Sequence, residues 1–308
     1  MKSGLQNIRK KAARSKFTLL MLAPAFVLTI IFAYLPLAGW AMAFTDYRIG
    51  IGIFKGQFVG LKYFTQFLFE SSDFAYLIRN TLVMNVSAVV VNLAVAILFS
   101  IMLHELRFRW LSKYLQTVTF FPYFISWVIS YSLVSALLAV RSGAINEFLI
   151  DLGVIETGFN VLGDPKYSWG LMIFLAMWKY TGYNSVIFLA TISGIPHEEY
   201  EAAAIDGAGR FRLIYHVTFM NMLPTLAILL IMNSGWILSS SLEQFFIFTN
   251  PTNMQTMEVL DMYIYKFGLR NLNYSYATAV GILKTIVSIL LVWLANFSAK
   301  KLSGSSIF

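Results

Sequence analysis

Residue types that carry out covalent chemistry are scarce in this sequence and poorly placed. Cysteine is absent, which removes thiolate nucleophiles, thiolate metal sites and disulfides. The three histidines, His104, His197 and His216, are too scattered to form a metal-ligating cluster, and no metal site is expected. No Ser-His-Asp or paired-carboxylate arrangement can be argued, and no G-x-x-x-x-G-K-[ST] phosphate loop is present. What remains is non-covalent chemistry in two places. One is the segment 193–224, which reads SGIPHEEYEAAAIDGAGRFRLIYHVTFMNMLP. The other is a polar stripe inside an apolar run: Asn233, Ser234, Trp236, Ser239, Ser240, Ser241, Glu243 and Gln244.

The first segment reads as a short helix, a turn and a second helix. Pro196 suits a first helical position, where its missing N–H is not needed. Glu198, Glu199 and Glu201 then complement the helix dipole, and Ala202, Ala203 and Ala204 are strong helix formers. Gly207 and Gly209 end the helix. The next helix begins at Arg210, with Phe211, Ile214, Tyr215 and Thr218 at helical spacing. Small residues on a helix surface let another backbone approach closely. A rigid, small-faced helix flanked by charge therefore suits docking to a partner protein, although a well-formed surface helix would look the same. In the second stretch, hydrogen-bonding groups beside a tryptophan suit a polyhydroxylated ligand. Interhelical hydrogen bonding in a membrane would use the same residues. Trp127, Tyr131, Trp178, Tyr183 and Asn184 are further candidates on that logic.

These residues must be positioned by membrane helices. Of the 308 residues, 58% are hydrophobic and 12% charged, against about 25% charged in soluble domains. The apolar residues fall in runs long enough to span a bilayer, which takes about 20 residues. Six spans are predicted, at 17–44, 76–103, 114–140, 169–192, 222–247 and 274–298. Pro24 and Pro36 are expected to bend or tilt the first. Arg79, Lys179, Glu243 and Lys284 fall inside spans, where ionisable groups are costly and often functional. Arg79, near a span end, reads as a snorkelling side chain. Lys179 and Lys284 lie deeper and could face a pore or pair with Glu243.

Lys and Arg set the orientation. Thirteen basic residues fall on the side of the two termini and seven on the opposite loops, 45–75, 141–168 and 248–273, while nine of the fifteen acids lie on those opposite loops. Positive charge stays cytoplasmic, so both termini are expected there. This asymmetry accounts for the net charge of +8 without a nucleic-acid ligand. In the loop 45–75, Phe54, Phe58, Tyr63, Phe64, Phe67 and Phe69 suggest rings at headgroup depth.

The docking segment resembles the cytoplasmic EAA motif of binding-protein-dependent ABC permeases, roughly E-A-A-x-x-D-G-A. Glu201, Ala202, Ala203, Asp206, Gly207 and Ala208 match in register. Val217 falls where the family usually has isoleucine, and Pro224 matches a later proline. Met220 departs from the proline of many members. Phe58-Val59-Gly60-Leu61, Asn80-Thr81 and Gly143-Ala144-Ile145-Asn146 also resemble carbohydrate-importer permeases of the maltose and glycerol-phosphate type, nearest to those for polysaccharide-derived oligosaccharides.

The resemblance implies an all-α integral membrane protein, the six-helix core of a type I ABC importer permease with a cytoplasmic coupling helix. Residues 1–16 and 299–308 would be cytoplasmic tails, 17–298 the permease domain and 193–224 its coupling loop. A second homologous permease would complete the pore, and an extracytoplasmic solute-binding protein would deliver a carbohydrate. Two cytoplasmic ATPases would bind the ATP and Mg, with no cofactor on this chain. Glu201 would be the charged contact to the ATPase, Ala202 and Ala203 the close-packed face, and Gly207 the turn, with Asp206 and Arg210 beside them. Substrate contacts would come from Asn233, Trp236, Ser240, Glu243, Gln244, Trp127, Tyr131, Lys179, Tyr183 and Asn184. The setting implied is a bacterial cytoplasmic membrane. Read without the resemblance, an ion-coupled secondary transporter, a channel subunit and a membrane scaffold stay open.

Overall fold

The structure is a computed structural model that describes residues 16–50 and 52–303. The basic tail expected at 1–16 therefore lies outside the described residues except for Lys16. The last helix runs on to Ser303, beyond the predicted end of the sixth span, and the tail from 304 onward is outside the described residues.

The chain divides into two compact units. The first takes in residues up to Glu70 together with Phe267–Ile282. It begins with α1 (Lys16–Phe44). Pro24 sits within regular α-helix at Lys16–Thr29, and the helix type changes only towards Pro36, without breaking α1. Pro36 cannot donate to a carbonyl one turn back, and the helix widens into a π segment at Ile30–Tyr34 before tightening to 3-10 at Leu35–Phe44. A two-residue antiparallel pairing follows, β1 (Thr45–Asp46) with β2 (Gln57–Phe58). The short helix α2 (Lys62–Thr65) comes next.

Of the six aromatics expected at headgroup depth, Tyr63, Phe64 and Phe67 are instead buried core of this unit, while Phe54, Phe58 and Phe69 are exposed. Tyr63 donates to Asp46 Oδ1 at 3.0 Å. Its hydroxyl is pushed above its ordinary pKa first by burial and then by that carboxylate. Gly60, at φ +61°, and the bond from Val59 N–H to the Phe44 carbonyl at 2.9 Å give the Phe58–Leu61 motif a turn-forming role.

The second unit comprises Ser71–Lys266 and the chain from Leu283. Its spine is α3 (Phe74–Glu105) packed along α7 (Pro165–Ser193). Between them in sequence come α4 (Arg109–Phe120), α5 (Trp127–Leu138) and α6 (Ala144–Asp151). After α7 come α8 (His197–Ile205) and α9 (Arg210–Ser234). Then follow α10 (Leu242–Phe248), α11 (Met254–Met257) and α12 (Leu260–Tyr265). The last helix, α13, runs from Tyr274 to Ser303.

Among the described residues, four helices are long and apolar enough to cross a membrane: α1, α3, α9 and α13 up to Ser298. The third predicted span is not one straight helix. It breaks by 106° between Phe124 and Trp127, where a 3-10 turn at Phe121–Phe124 ends. The fourth lies in α7, which is long enough at 29 residues but too polar to qualify on apolarity. Its buried face carries Met172, Leu175, Ala176, Lys179, Gly182, Ser185, Phe188 and Ile192 at helical spacing, so protein rather than lipid covers it.

The fifth predicted span, 222–247, is displaced and interrupted. The helix starts at Arg210, ends at Ser234, and resumes only at Leu242. Ser and Gly at 234–235 and the run of serines at 239–241 explain the break, because these residues favour caps and turns over helix interiors. Non-helical backbone at membrane depth is tolerated only where it is buried in protein or lines a cavity.

Two apolar clusters hold this unit together. One joins Leu93, Ala96 and Ile97 of α3 to Phe188 and Ile192 of α7 and Met222 and Leu229 of α9. The other joins Met84, Trp127, Val134, Met172, Leu175, Phe245, Phe248, Met257 and Val259.

Candidate functional site

A cavity of about 630 Å³ lies in the second unit and is lined by members of both apolar clusters. Its polar wall comes from three helices. Asn85 and Asn92 are seven residues apart on α3, two turns along one face. Tyr180, Tyr183 and Asn184 come from α7, and Thr225 and Asn233 from α9. The interrupted region beyond α9 adds Trp236, Ser239, Ser241 and Gln244.

Tyr123 and Tyr183 stack with centroids 4.6 Å apart and planes 13° from parallel, and Tyr180 meets Tyr123 edge-on at 6.1 Å. These three rings form an aromatic wall. Asn184 Nδ2 donates to Asn92 Oδ1. The amide nitrogen of Asn92, a residue 5% exposed, has no partner among the described residues. A buried donor without a partner costs about 1–3 kcal/mol.

The break after α9 is held open by specific bonds. Asn85 Nδ2 donates to the Ile237 carbonyl at 2.7 Å and to Ser240 Oγ at 2.9 Å. Asp261 accepts from the Ser240 N–H at 2.6 Å and pairs with Lys284 of α13.

Of the residues singled out in the sequence, Asn233, Trp236, Gln244, Tyr183 and Asn184 line the cavity. Ser239 and Ser241 of the polar stripe line it too, whereas other candidates sit elsewhere. Ser240 anchors the break. Glu243 is exposed in the first turn of α10. Tyr131 packs edge-on against Phe248 at 5.0 Å. Lys179 does not pair with Glu243. It is buried and donates to the carbonyls of Pro122 and Ile125 at the 106° break, with Nζ 5.1 Å from the Trp127 ring centroid. Lys284 pairs with Asp261 rather than Glu243. Arg79 lies over the Trp169 ring at 5.5 Å. Sequence reasoning missed Asn85, Asn92, Tyr123 and Tyr180. The seven-residue spacing of the two asparagines within an apolar run was the available signal.

The second site is the helix-turn-helix α8–α9. Pro196 stands one position before the helix, with extended backbone. Gly207, at φ +80°, terminates α8. Its N–H reaches the Ala204 carbonyl at 3.0 Å, and the Ala208 N–H reaches Ala203 at 3.0 Å. This is a Schellman closure, which a left-handed glycine makes possible. Glu201, Ala202 and Asp206 are exposed and Ala203 is half-buried. Ile205 and Phe211 are more than four-fifths exposed, an unusual display of large apolar groups on a charged loop. Tyr200 shares a hydrogen bond with Thr218 at 3.0 Å, and Asn221 donates to Glu199 at 2.7 Å, so α8 is clasped against the start of α9. Arg210 is held by Glu105, at the end of α3, through a 2.8 Å contact.

The Asn80-Thr81 and Gly143–Asn146 motifs are anchors. Asn80 donates to the carbonyls of Gln255 and Glu258, and Thr81 accepts from the Leu260 N–H, fixing the α11–α12 connection to α3. Asn146 bonds backbone at residues 138, 139 and 159. Gly143 is there because a Cβ would lie 2.5 Å from Ala139 backbone.

Membrane-length helices interrupted around a polar cavity define a membrane transport protein. Residues 96–304 match the model of the binding-protein-dependent transport system inner membrane component, and the chain belongs to that family. It is 36% identical to the polygalacturonan/rhamnogalacturonan transport system permease protein YteP of Bacillus subtilis, over 97% of this chain and 92% of the relative. It is 35% identical to protein LplB of the same organism, over 96% and 92%. The structure of a bacterial ABC transporter that imports the acidic polysaccharide alginate superposes with a TM-score of 0.87 at 31% identity, covering 96% of this chain and 99% of the other.

Proposed function

We propose that this chain is one of two permease subunits of an ABC importer, and that it passes an oligosaccharide through the α3–α7–α9 cavity by alternating access. Two ATPases dock on α8, with Glu201 as the charged contact and Ala202 and Ala203 as the close-packed face. An extracytoplasmic binding protein delivers the sugar to the opposite side, and both termini are cytoplasmic. ATP and Mg stay with the ATPases. The relatives support the carbohydrate reading, since YteP is named for polygalacturonan transport and a matching alginate transporter was solved with a periplasmic protein carrying an alginate pentasaccharide.

One observation carries the reading: a single helix, α9, joins the exposed docking turn at Arg210 to the cavity wall at Thr225 and Asn233. Movement imposed at one end is transmitted to the other. The test is reconstitution in proteoliposomes with partner permease, ATPases and binding protein. Uptake of labelled oligosaccharide should require ATP, and Gly207→Pro and Glu201→Lys should insert normally yet lose sugar-stimulated hydrolysis. Uptake driven by an ion gradient without ATPases would overturn the assignment in favour of a secondary transporter.

A further inference from the structure

We infer that the cavity selects uncharged oligosaccharides and rejects uronate-containing ones. The inference rests on reading this cavity as a carbohydrate path. Among the described residues that line it, none is charged. Its polar groups are amides, hydroxyls and the Trp236 indole, all neutral hydrogen-bonding partners suited to sugar hydroxyls. A carboxylate entering such a space would lose water without gaining a counter-charge.

The nearby cations are already engaged. Lys179 is turned into the backbone carbonyls at the α4–α5 break and against Trp127. Lys284 is neutralised by Asp261. The acid nearest in sequence, Glu243, falls between the lining residues Ser241 and Gln244 and is itself exposed, so it adds no positive charge to this wall. An acidic sugar would therefore find no cation on this lining to replace its lost hydration. Relatives named for polygalacturonan and alginate handle acidic polymers, so the lining points this chain to a different cargo.

Oligogalacturonates of two to five residues, and the same mixture after chemical reduction of the carboxylates to alcohols, form a pair that differs at C6 alone, a carboxylate in one and a neutral hydroxymethyl group in the other. Binding of each to the purified permease pair with its ATPases, in lipid nanodiscs, is measured by equilibrium dialysis. The reduced oligomers should bind at least tenfold more tightly. Met232→Lys places a cation on the lining at a position 59% exposed, where the added length is accommodated. It should shrink or reverse the preference. Equal or tighter binding of the acids to the unaltered protein would overturn the selectivity while leaving the cavity a sugar site. An unchanged preference in Met232→Lys would show that discrimination arises elsewhere, and would overturn it too. Binding of neither mixture would overturn the sugar path and this inference together.

Discussion

Arg210 Nε lies 2.8 Å from Glu105 Oε2, which ties the first residue of α9 to the last residue of α3. The two helices that carry Asn92 and Asn233 into the cavity are thus joined at their other ends, beside the docking turn. Arg210 is mostly exposed, and such a pair contributes only about 0.2–1 kcal/mol to stability. On the proposed coupling role its value is mechanical. Arg210→Ala should leave the melting temperature within a few degrees of the parent, about what that energy produces, while lowering sugar-stimulated ATP hydrolysis several-fold. The exchanged pair Arg210→Glu with Glu105→Arg should recover coupling. Hydrolysis unaffected by either single change would remove the pair from the coupling route.

Gly207 needs its left-handed backbone, and no atom lies within 4 Å of where a Cβ would stand. Substitution is penalised by conformation alone. Gly207→Ala should cost about 1–2 kcal/mol locally, and Gly207→Asn less, because asparagine visits that region more readily. ATPase stimulation should follow the order Gly, Asn, Ala, with insertion into the membrane the same for all three. Alanine behaving like glycine would mean the turn does not need to hold its shape during coupling.

Gly182 is different, because space is the constraint. A Cβ there would fall 2.1 Å from the Thr119 carbonyl oxygen, so α4 and α7 cross backbone to backbone. Gly182→Ala must push the helices apart, and overpacking of this kind costs about 1–3 kcal/mol. Thermal unfolding in detergent should show a clear loss of stability. The displaced Tyr183 and Asn184 should weaken sugar binding as well. An alanine variant with parental melting would contradict the close crossing.

Asp261 and Lys284 are each less than one-fifth exposed. Removing one partner leaves a charge stranded at low dielectric, which costs about 3–5 kcal/mol. Asp261→Asn and Lys284→Met should each reduce the yield of folded protein. The double variant should recover most of it, because neither charge is then left alone. Asp261→Asn should also loosen the Ser240 N–H and with it the open segment beyond α9. Limited proteolysis near Ser240 would reveal this.

Much of the architecture was legible because apolar runs and the Glu201–Gly207 register are local signals. The docking helix could be read to within a residue because proline, acids, alanines and glycine each dictate one step of it. The misplacements have a common cause. Hydropathy cannot distinguish a straight span from one broken by 106°, and it smoothed α9, the open segment and α10 into a single helix. Lys179 looked like a pore residue because burial of a cation in a membrane is unusual. Its partners are backbone carbonyls at the end of a 3-10 turn, which side-chain types cannot disclose. Asn85 and Asn92 escaped notice because each alone resembles an interhelical glue residue; only folding brings them to one wall.

The π turn at Ile214–Phe219 has a consequence for how the two sites communicate. A π turn holds one residue more than an α turn, and one residue corresponds to about 100° of rotation about a helix axis. Tyr200 is fastened to Thr218 inside that turn. Were the turn to tighten to ordinary α geometry when α8 is pulled, the rest of α9 would swivel by that angle. Asn233 would swing toward or away from the cavity without any part of the helix unfolding. On the proposed docking role of α8, the spare residue would be slack in a drive shaft, stored where Tyr200 holds Thr218.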